Sequence, residues 1–163
     1  MKRLIVFMSF TAASIAIIYA STLSPSIPAV TPRTADGQTA NVPYATIGDA
    51  KIFVETAKDD AAREKGLSGR ESLAENQGML FIFARPYRWS FWMPDMRFPI
   101  DIVWINEGIV TGITPDVPPE TNLSSPRFYR PPKPVRYALE VNAGFAKNKN
   151  IKTGDPVTFH NID

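Results

Sequence analysis

The sequence predicts a mainly β fold, an antiparallel β-sandwich or small barrel with one or two short helices. Three observations carry that expectation. Apolar runs of strand length recur along the chain, several of them alternating with period two. Gly, Pro, Asn and Asp turn signals separate these runs at short, regular spacing. Helix signals are confined to two short stretches, and there are no internal repeats.

Taken in order, the chain opens with Lys2 and Arg3, an uncharged apolar run from Leu4 to Ala20, and the small polar residues Ser21, Thr22 and Ser24. That is the layout of a secretory signal. The run is slightly long for a signal and slightly short for a membrane span, so residues 1–20 read as a signal cleaved after Ala20 or as an uncleaved anchor. Both versions export the rest, because the positive charges stay on the cytoplasmic side. Residues 21–43 are rich in Ser, Thr, Pro and Ala, cannot repay the entropy of ordering, and read as a flexible tether. Residues 44–163 then form a single β-rich domain.

Within it, YATIG and KIFVETA flank Gly48-Asp49 as the arms of a hairpin. A short helix is expected from Asp59 to Lys65, with Asp59 and Asp60 at its start and Gly66 as its C-cap. Leu67 to Gln77 reads as loop. Met79 to Phe83 is a continuous apolar run of strand length, and Arg88 to Met93 alternates as a further strand, with Trp89, Phe91 and Met93 on one face. Pro94 and Pro99 bracket a turn. Ile100 to Ile105 and Ile109 to Ile113 form a second hairpin about Asn106-Glu107-Gly108. Seven prolines between Pro115 and Pro134 predict a long surface loop. Val135 to Asn142 alternates, with Val135, Tyr137, Leu139 and Val141 inward and Arg136, Glu140 and Asn142 opposite. Ala143 to Asn150 allows one or two helical turns, and Pro156 to His160 is a last strand.

The 163 residues, 44% hydrophobic, suit one core plus the terminal appendage. Large aromatics carry most burial in a small domain, so the centre of that core is expected at residues 88 to 105, which hold all three tryptophans. Beyond residue 20 the chain has 16 basic against 16 acidic side chains, because Lys2 and Arg3 fall in the leader. No basic stripe of the kind nucleic acid requires is present. The absence of cysteine removes disulfide support and thiolate chemistry.

AREKGLSGR, QGMLFIF, SFWMPDMRFPIDIVWI, YALEVNAG and IKTGDPV occur in this order, and together they resemble the domain of unknown function 192 family of bacteria and archaea. The resemblance runs from about Tyr44 to Phe159. It implies a predominantly β, sandwich-like fold in proteins that are often exported or membrane-anchored, and it implies no established activity. Ala62-Arg63 stands where the family has Glu-Arg, and Ser68 replaces a usual Met. Pro94-Asp95-Met96 replaces Lys-Asn-Thr, so any family role of that Asn has no counterpart here. Pro99, Ile100, Asp101, Glu140, Asn142, Ala143 and Gly144 fit the pattern.

Asp101 sits in an apolar strand and needs a partner or must become neutral. The resemblance nominates Arg63 and Arg70, either in a structural ion pair or around a ligand-binding or catalytic carboxylate. Glu140 reads as a residue of a solvated face, or as one half of an acid/base couple with Asp101 or Asp95 of the kind that cleaves glycosides. Trp89, Trp92 and Trp104 read as core or as surfaces for sugar rings, Trp92 being the least committed to packing. Met79, Met93 and Met96 are soft enough for Cu(I), but core packing is favoured, and no metal site is expected. Zinc-type His clusters, phosphate loops, dinucleotide fingerprints and nucleophile elbows are absent, and a Ser-His-Asp triad would have to recruit His160.

The expectation is therefore an exported cell-envelope binding or accessory domain, without cofactor, for a small polar, carbohydrate or peptide ligand. Its candidate ligand-binding residues are Arg63, Arg70, Trp92, Asp95, Asp101 and Glu140. No nucleic-acid partner is expected, and membrane contact comes only through residues 1–20 if they are uncleaved. A hydrolase using Asp101 and Glu140 is the first alternative, and a purely structural partner domain the second.

Overall fold

The computed structural model describes residues 41–162. The expected signal or anchor, and the expected tether as far as residue 40, lie outside the described residues. Among the described residues no helix is long and apolar enough to cross a membrane.

Local sequence accounts for most elements. β1 (Tyr44–Ile47) and β2 (Ala50–Ala57) form the first hairpin, turned at Gly48, whose φ of 56° suits a residue without Cβ. The helix α1 (Asp60–Lys65) begins where the Asp59 carboxylate accepts the Ala62 N–H at 2.8 Å, and it ends at Gly66. β3 (Gln77–Tyr87) follows. β4 (Ile100–Asn106) and β5 (Ile109–Val117) are joined through Glu107 and Gly108, both at positive φ, a turn whose twist matches that of the strands it links. β6 (Val135–Asn142), α2 (Phe145–Asn148) and β7 (Val157–His160) complete the domain.

The seven strands form one curled sheet, a half-barrel, in the order β5-β4-β6-β3-β2-β1-β7. The mainly β class with two short helices is as the sequence predicts, but two details of pairing differ. The β2–β3 pair is parallel, with Phe53 beside Gln77 and Ala57 beside Phe81. Parallel neighbours need a crossover, and residues 58–76 supply it, carrying α1 back across one face. Residues 88–93 do not form a regular strand: only Phe91 pairs, with Tyr129, through reciprocal backbone hydrogen bonds of 2.9 and 2.8 Å. β3 instead runs on through Pro86 to Tyr87, with a register shift beyond Ile82 that accommodates the missing N–H.

The two sheet edges meet at one end. Val110 N–H donates to Asp155 O at 3.0 Å, Gly154 N–H to Val110 O at 2.8 Å and Val157 N–H to Gly108 O at 2.7 Å. Curling creates two cores. The first draws side chains from all seven strands, including Ile52, Leu80, Val103, Leu139 and Val157, with Phe145 of α2 inserted among them. The second lies on the opposite face, where Phe81, Phe83, Ile102 and Trp104 are covered by Leu67 of the crossover and by Phe91 and Met93. β4 and β6 over most of their length, and β3 only from Gly78 to Phe83, are therefore buried on both faces.

Asp101, 1% exposed, faces the first core. Neither Arg63 nor Arg70 reaches it, so the expected ion pair is replaced. Its Oδ1 accepts the N–H groups of Asp116 at 3.0 Å and Gly144 at 3.1 Å, and its Oδ2 accepts that of Ala146 at 3.0 Å. Three backbone donors satisfy the carboxylate and tie β4 to β5 and to the start of α2. Asp101→Asn keeps the shape but turns a donor toward donors. It is expected to lose about 2 kcal/mol, read as a lower urea midpoint; an unchanged midpoint would show that these contacts contribute nothing.

Candidate functional site

The crossover, the segment 88–98 and the central strands enclose a cavity of about 520 Å³. Each wall is fixed by identifiable contacts. Arg63 holds α1 against β3: its Nη1 donates to Ile82 O at 3.0 Å and to Lys58 O, and its Nη2 to Asp60 Oδ1 at 2.5 Å. Its guanidinium lies 5.6 Å from the centre of the Phe83 ring. Gly66 brings the chain close, since a Cβ there would meet Phe81 Cζ at 3.3 Å. The Pro94-Asp95 turn is pinned to the crossover by Ser68 Oγ donating to Pro94 O at 2.7 Å and by Gly69 N–H donating to Asp95 O at 2.8 Å. Asp95 takes φ of 53°, a left-handed conformation that Asp tolerates better than most residues.

From the other side the Pro-rich loop supports segment 88–98 through the Phe91–Tyr129 pair and through Glu120 N–H donating to Met93 O at 3.1 Å. That loop is organised by its own network. The Glu120 carboxylate accepts the N–H groups of Arg127 and Asn122, which hold it below the usual carboxylate range.

Aromatic side chains line the interior. Phe83 and Trp89 stack with ring centres 4.3 Å apart, and Phe91 meets Phe81 edge-on at 5.1 Å and Trp104 at 5.2 Å. One buried carboxyl breaks this apolar lining, and Arg63, Glu64, Lys65 and Asp95 add charged side chains to it. Glu140 projects from β6 and is only 3% exposed. No hydrogen bond or ion pair of its side chain occurs among the described residues, and burial alone pushes its carboxyl up to about 8. It carries its proton at neutral pH. Trp89 Nε1 is closed off within the packing, a donor without a partner among the described residues. Trp104 shows the contrast, because its Nε1 donates to Thr114 Oγ1 at 2.9 Å.

Of the residues singled out by sequence, Arg63, Trp92, Asp95 and Glu140 come together around this cavity, and Arg70 and Asp101 do not. Arg70 forms a bidentate pair with Glu55 at 2.5 and 2.7 Å, which holds the Glu55 carboxyl below its ordinary range. Asp101 pairs in register with Val141, whereas Ile102 pairs with Glu140. Their side chains thus leave opposite faces of the sheet, and an Asp101–Glu140 acid/base couple is geometrically ruled out. Glu140 is also not on a solvated face: β6 lies between β3 and β4, and the 88–98 segment covers it. Trp92 is 43% exposed at the rim. Met79, Met93 and Met96 belong to the second core.

Sequence reasoning assigned Trp89 to packing and missed its unpartnered indole N–H. It also missed the Phe81–Phe83 wall, for which alternation along β3 was the available signal. A second hollow, beside α2, is lined by Leu73, Phe145 and Lys149; there Asn142 Nδ2 donates to Leu73 O at 2.9 Å and Ala74 O at 3.1 Å, holding the end of the crossover. Among the described residues no group of three or more His, Asp or Glu side chains is placed to hold a metal ion.

The geometry defines a class: a mainly β half-barrel with an aromatic cavity over a buried carboxyl. The chain belongs to the domain of unknown function 192 family, described as an uncharacterised ACR, whose model matches residues 43–159. Two solved structures are similar. One, from Sinorhizobium meliloti, is provisionally described as a transcription regulator; it is 27% identical, with a TM-score of 0.66 over 77% of this chain and 100% of its own. The other, a protein of unknown function from Novosphingobium aromaticivorans, is 28% identical, with a TM-score of 0.64 over 71% of this chain and 83% of its own. No curated protein matches the chain.

The raised Glu140 value sets a pH dependence. The folded state holds this proton up to about pH 8, whereas the ordinary value is 4.5, so between those limits the native state binds more protons than the unfolded one. Stability from this group is full below about pH 4.5 and falls as pH rises toward 8. Glu140→Gln removes the titration, so the variant should gain on the wild type across that window by up to several kcal/mol. Parallel urea curves for the two proteins at all pH values would count against a buried, unpaired carboxyl.

Proposed function

We propose that the chain is an exported cell-envelope binding or accessory domain that recognises a small polar, carbohydrate or peptide ligand in the cavity over Glu140. One observation carries this reading: a buried carboxyl, that of Glu140, without a partner among the described residues, lines the aromatic cavity. Leaving such a group unsatisfied costs about 1–3 kcal/mol, so a site of this kind is stabilised by a ligand that completes its hydrogen bonds. The cavity's size and its few polar groups within an apolar lining are those of small-molecule sites. Export is supported by Lys2, Arg3 and the apolar run from Leu4 to Ala20. The even charge balance beyond residue 20 favours a small ligand over a nucleic acid, so the provisional description of the Sinorhizobium meliloti protein is not carried over.

Two measurements test the two halves of the proposal. Thermal-shift screening of the purified chain against envelope glycan fragments and peptides should find compounds that raise Tm in the wild type and not in Glu140→Leu. No response to any compound would end the binding reading. Fractionation of cells expressing a C-terminally tagged chain should place the tag outside the cytoplasm, and a cytoplasmic tag would refute export.

A further inference from the structure

We infer that the surface built from the end of β3, residues 88–92 and the Pro-rich loop docks on an anionic phospholipid bilayer. Arg85, Arg88, Arg130, Lys133 and Arg136 meet the headgroup phosphates there, and Tyr87, Trp92 and Phe128 enter the interface. This goes beyond the cavity reading and does not depend on it. The sequence places membrane contact in residues 1–20 alone, because the cations of this surface come from segments distant in the chain that only the fold brings together.

The pairing of Phe91 with Tyr129 lays residues 88–92 antiparallel beside the Pro-rich loop, with both of those rings packed into the second core. Their neighbours Trp92 and Phe128 therefore fall opposite each other on the outer face, where they are 43% and 52% exposed. Arginines fasten the two segments to each other and to the strand ends. Arg88 Nε donates to Pro131 O at 3.1 Å, Arg130 Nε to Ser90 Oγ at 3.1 Å and Arg136 Nε to Phe83 O at 3.3 Å. Each uses Nε alone, so the terminal nitrogens make no hydrogen bond among the described residues, on guanidinium groups already held in position. Arg85 lies 5.3 Å from the centre of the Tyr87 ring, and Tyr87 pairs with Val135 at the start of β6. Lys133 is exposed between Pro132 and Pro134.

Charge is sorted toward this surface. Residues 84–94 and 121–139 contain six basic side chains and no acidic one, while the chain beyond residue 20 is balanced, so its remainder is net acidic. Two acids border the surface. Glu120 accepts the Arg127 N–H and offsets that residue, and Glu107 lies in the turn beside Asn106, whose Oδ1 accepts the Arg136 N–H at 3.2 Å. The other five cations form no ion pair among the described residues, whereas Arg63, Arg70 and Arg97 each pair with an acid. Of the five large apolar side chains exposed among the described residues, four, Tyr87, Trp92, Leu123 and Phe128, belong to these same two segments.

Open guanidinium groups beside exposed aromatic rings match a phospholipid interface, where phosphates take the cations and amphipathic rings settle at headgroup depth. Nucleic acid shares the phosphate chemistry, but an exposed Leu123 gains nothing from stacked bases. The apolar run from Leu4 to Ala20 also points this chain toward a bilayer.

The test is titration of the purified full-length chain with vesicles of phosphatidylglycerol and phosphatidylcholine in equal parts, and with vesicles of phosphatidylcholine alone, read by tryptophan emission. Residues 1–20 contain no tryptophan, and Trp92 is the exposed one of the three, so the signal reports this surface even where the apolar run inserts by itself. Mixed vesicles should shift the emission to shorter wavelength, phosphatidylcholine should not, and Trp92→Phe should remove the shift. Arg85 and Lys133 make no side-chain hydrogen bond among the described residues, so the double variant Arg85→Gln, Lys133→Gln keeps the fold; it should need about thirtyfold more mixed lipid for half the shift. Arg85→Lys with Lys133→Arg keeps the charge and should match the wild type. No shift with mixed vesicles, an equal shift with phosphatidylcholine, a shift retained in Trp92→Phe, an unchanged midpoint in the Gln variant or a weakened one in the charge-keeping variant would each overturn the assignment. Displacement from the vesicles by a single-stranded DNA of about 20 nucleotides at equal phosphate concentration would overturn it in favour of a nucleic acid.

Discussion

The parallel pairing of β2 with β3 is the constraint on which the rest of the structure depends. Had those strands formed a hairpin, a few residues would have joined them and one face of the sheet would have stayed open. A parallel pair instead requires the chain to return over a face, and residues 58–76 do so, delivering α1, Arg63 and Leu67 above the central strands. Segment 88–98 then docks on this crossover through Ser68, Gly69 and the Pro94-Asp95 turn. The second core and the cavity both follow from that layering.

Layering also explains how two carboxyls one register step apart meet opposite fates. Asp101 projects into the first core beside a strand bend and a helix start, where three backbone N–H groups would otherwise be unpaired. Its burial is offset by those bonds and serves the fold. Glu140 projects into the second core, whose buried side chains are aromatic and aliphatic, and its carboxyl makes no hydrogen bond among the described residues. Desolvation acts on it unopposed and keeps it protonated. A carboxyl in that state is a hydrogen-bonding group held in reserve, and such groups concentrate at functional sites.

Much of the fold was legible in the residues. The capped helix from Asp60 to Lys65, the turn at Glu107-Gly108 and the strand Ile100–Asn106 each follow from local signals, and the alternation that set Trp92 apart from Phe91 and Met93 survives although those residues form no regular strand. The alternation of Val135–Asn142 was read correctly for direction and wrongly for environment. A polar residue on one face of a strand looks solvated when only that strand is considered, yet β6 lies between two partners and beneath a covering segment. The expected pairing of Arg63 and Arg70 with Asp101 failed for a similar reason: nearer acids, Asp60 and Glu55, and backbone donors supplied both sides' needs.

By itself the sequence determined the mainly β class, the hairpins, the short helices, the family and the concentration of aromatics between Arg88 and Ile105, because these depend on periodicity, turn chemistry and ordered motifs within short windows. Only the tertiary structure decided which strands run parallel, which acid is satisfied and which is not, and that Trp89 rather than Trp104 keeps a buried N–H without a partner among the described residues. Those outcomes depend on contacts between residues far apart in the chain, where hydrogen-bond partners and water access are set by the layers that close over each face.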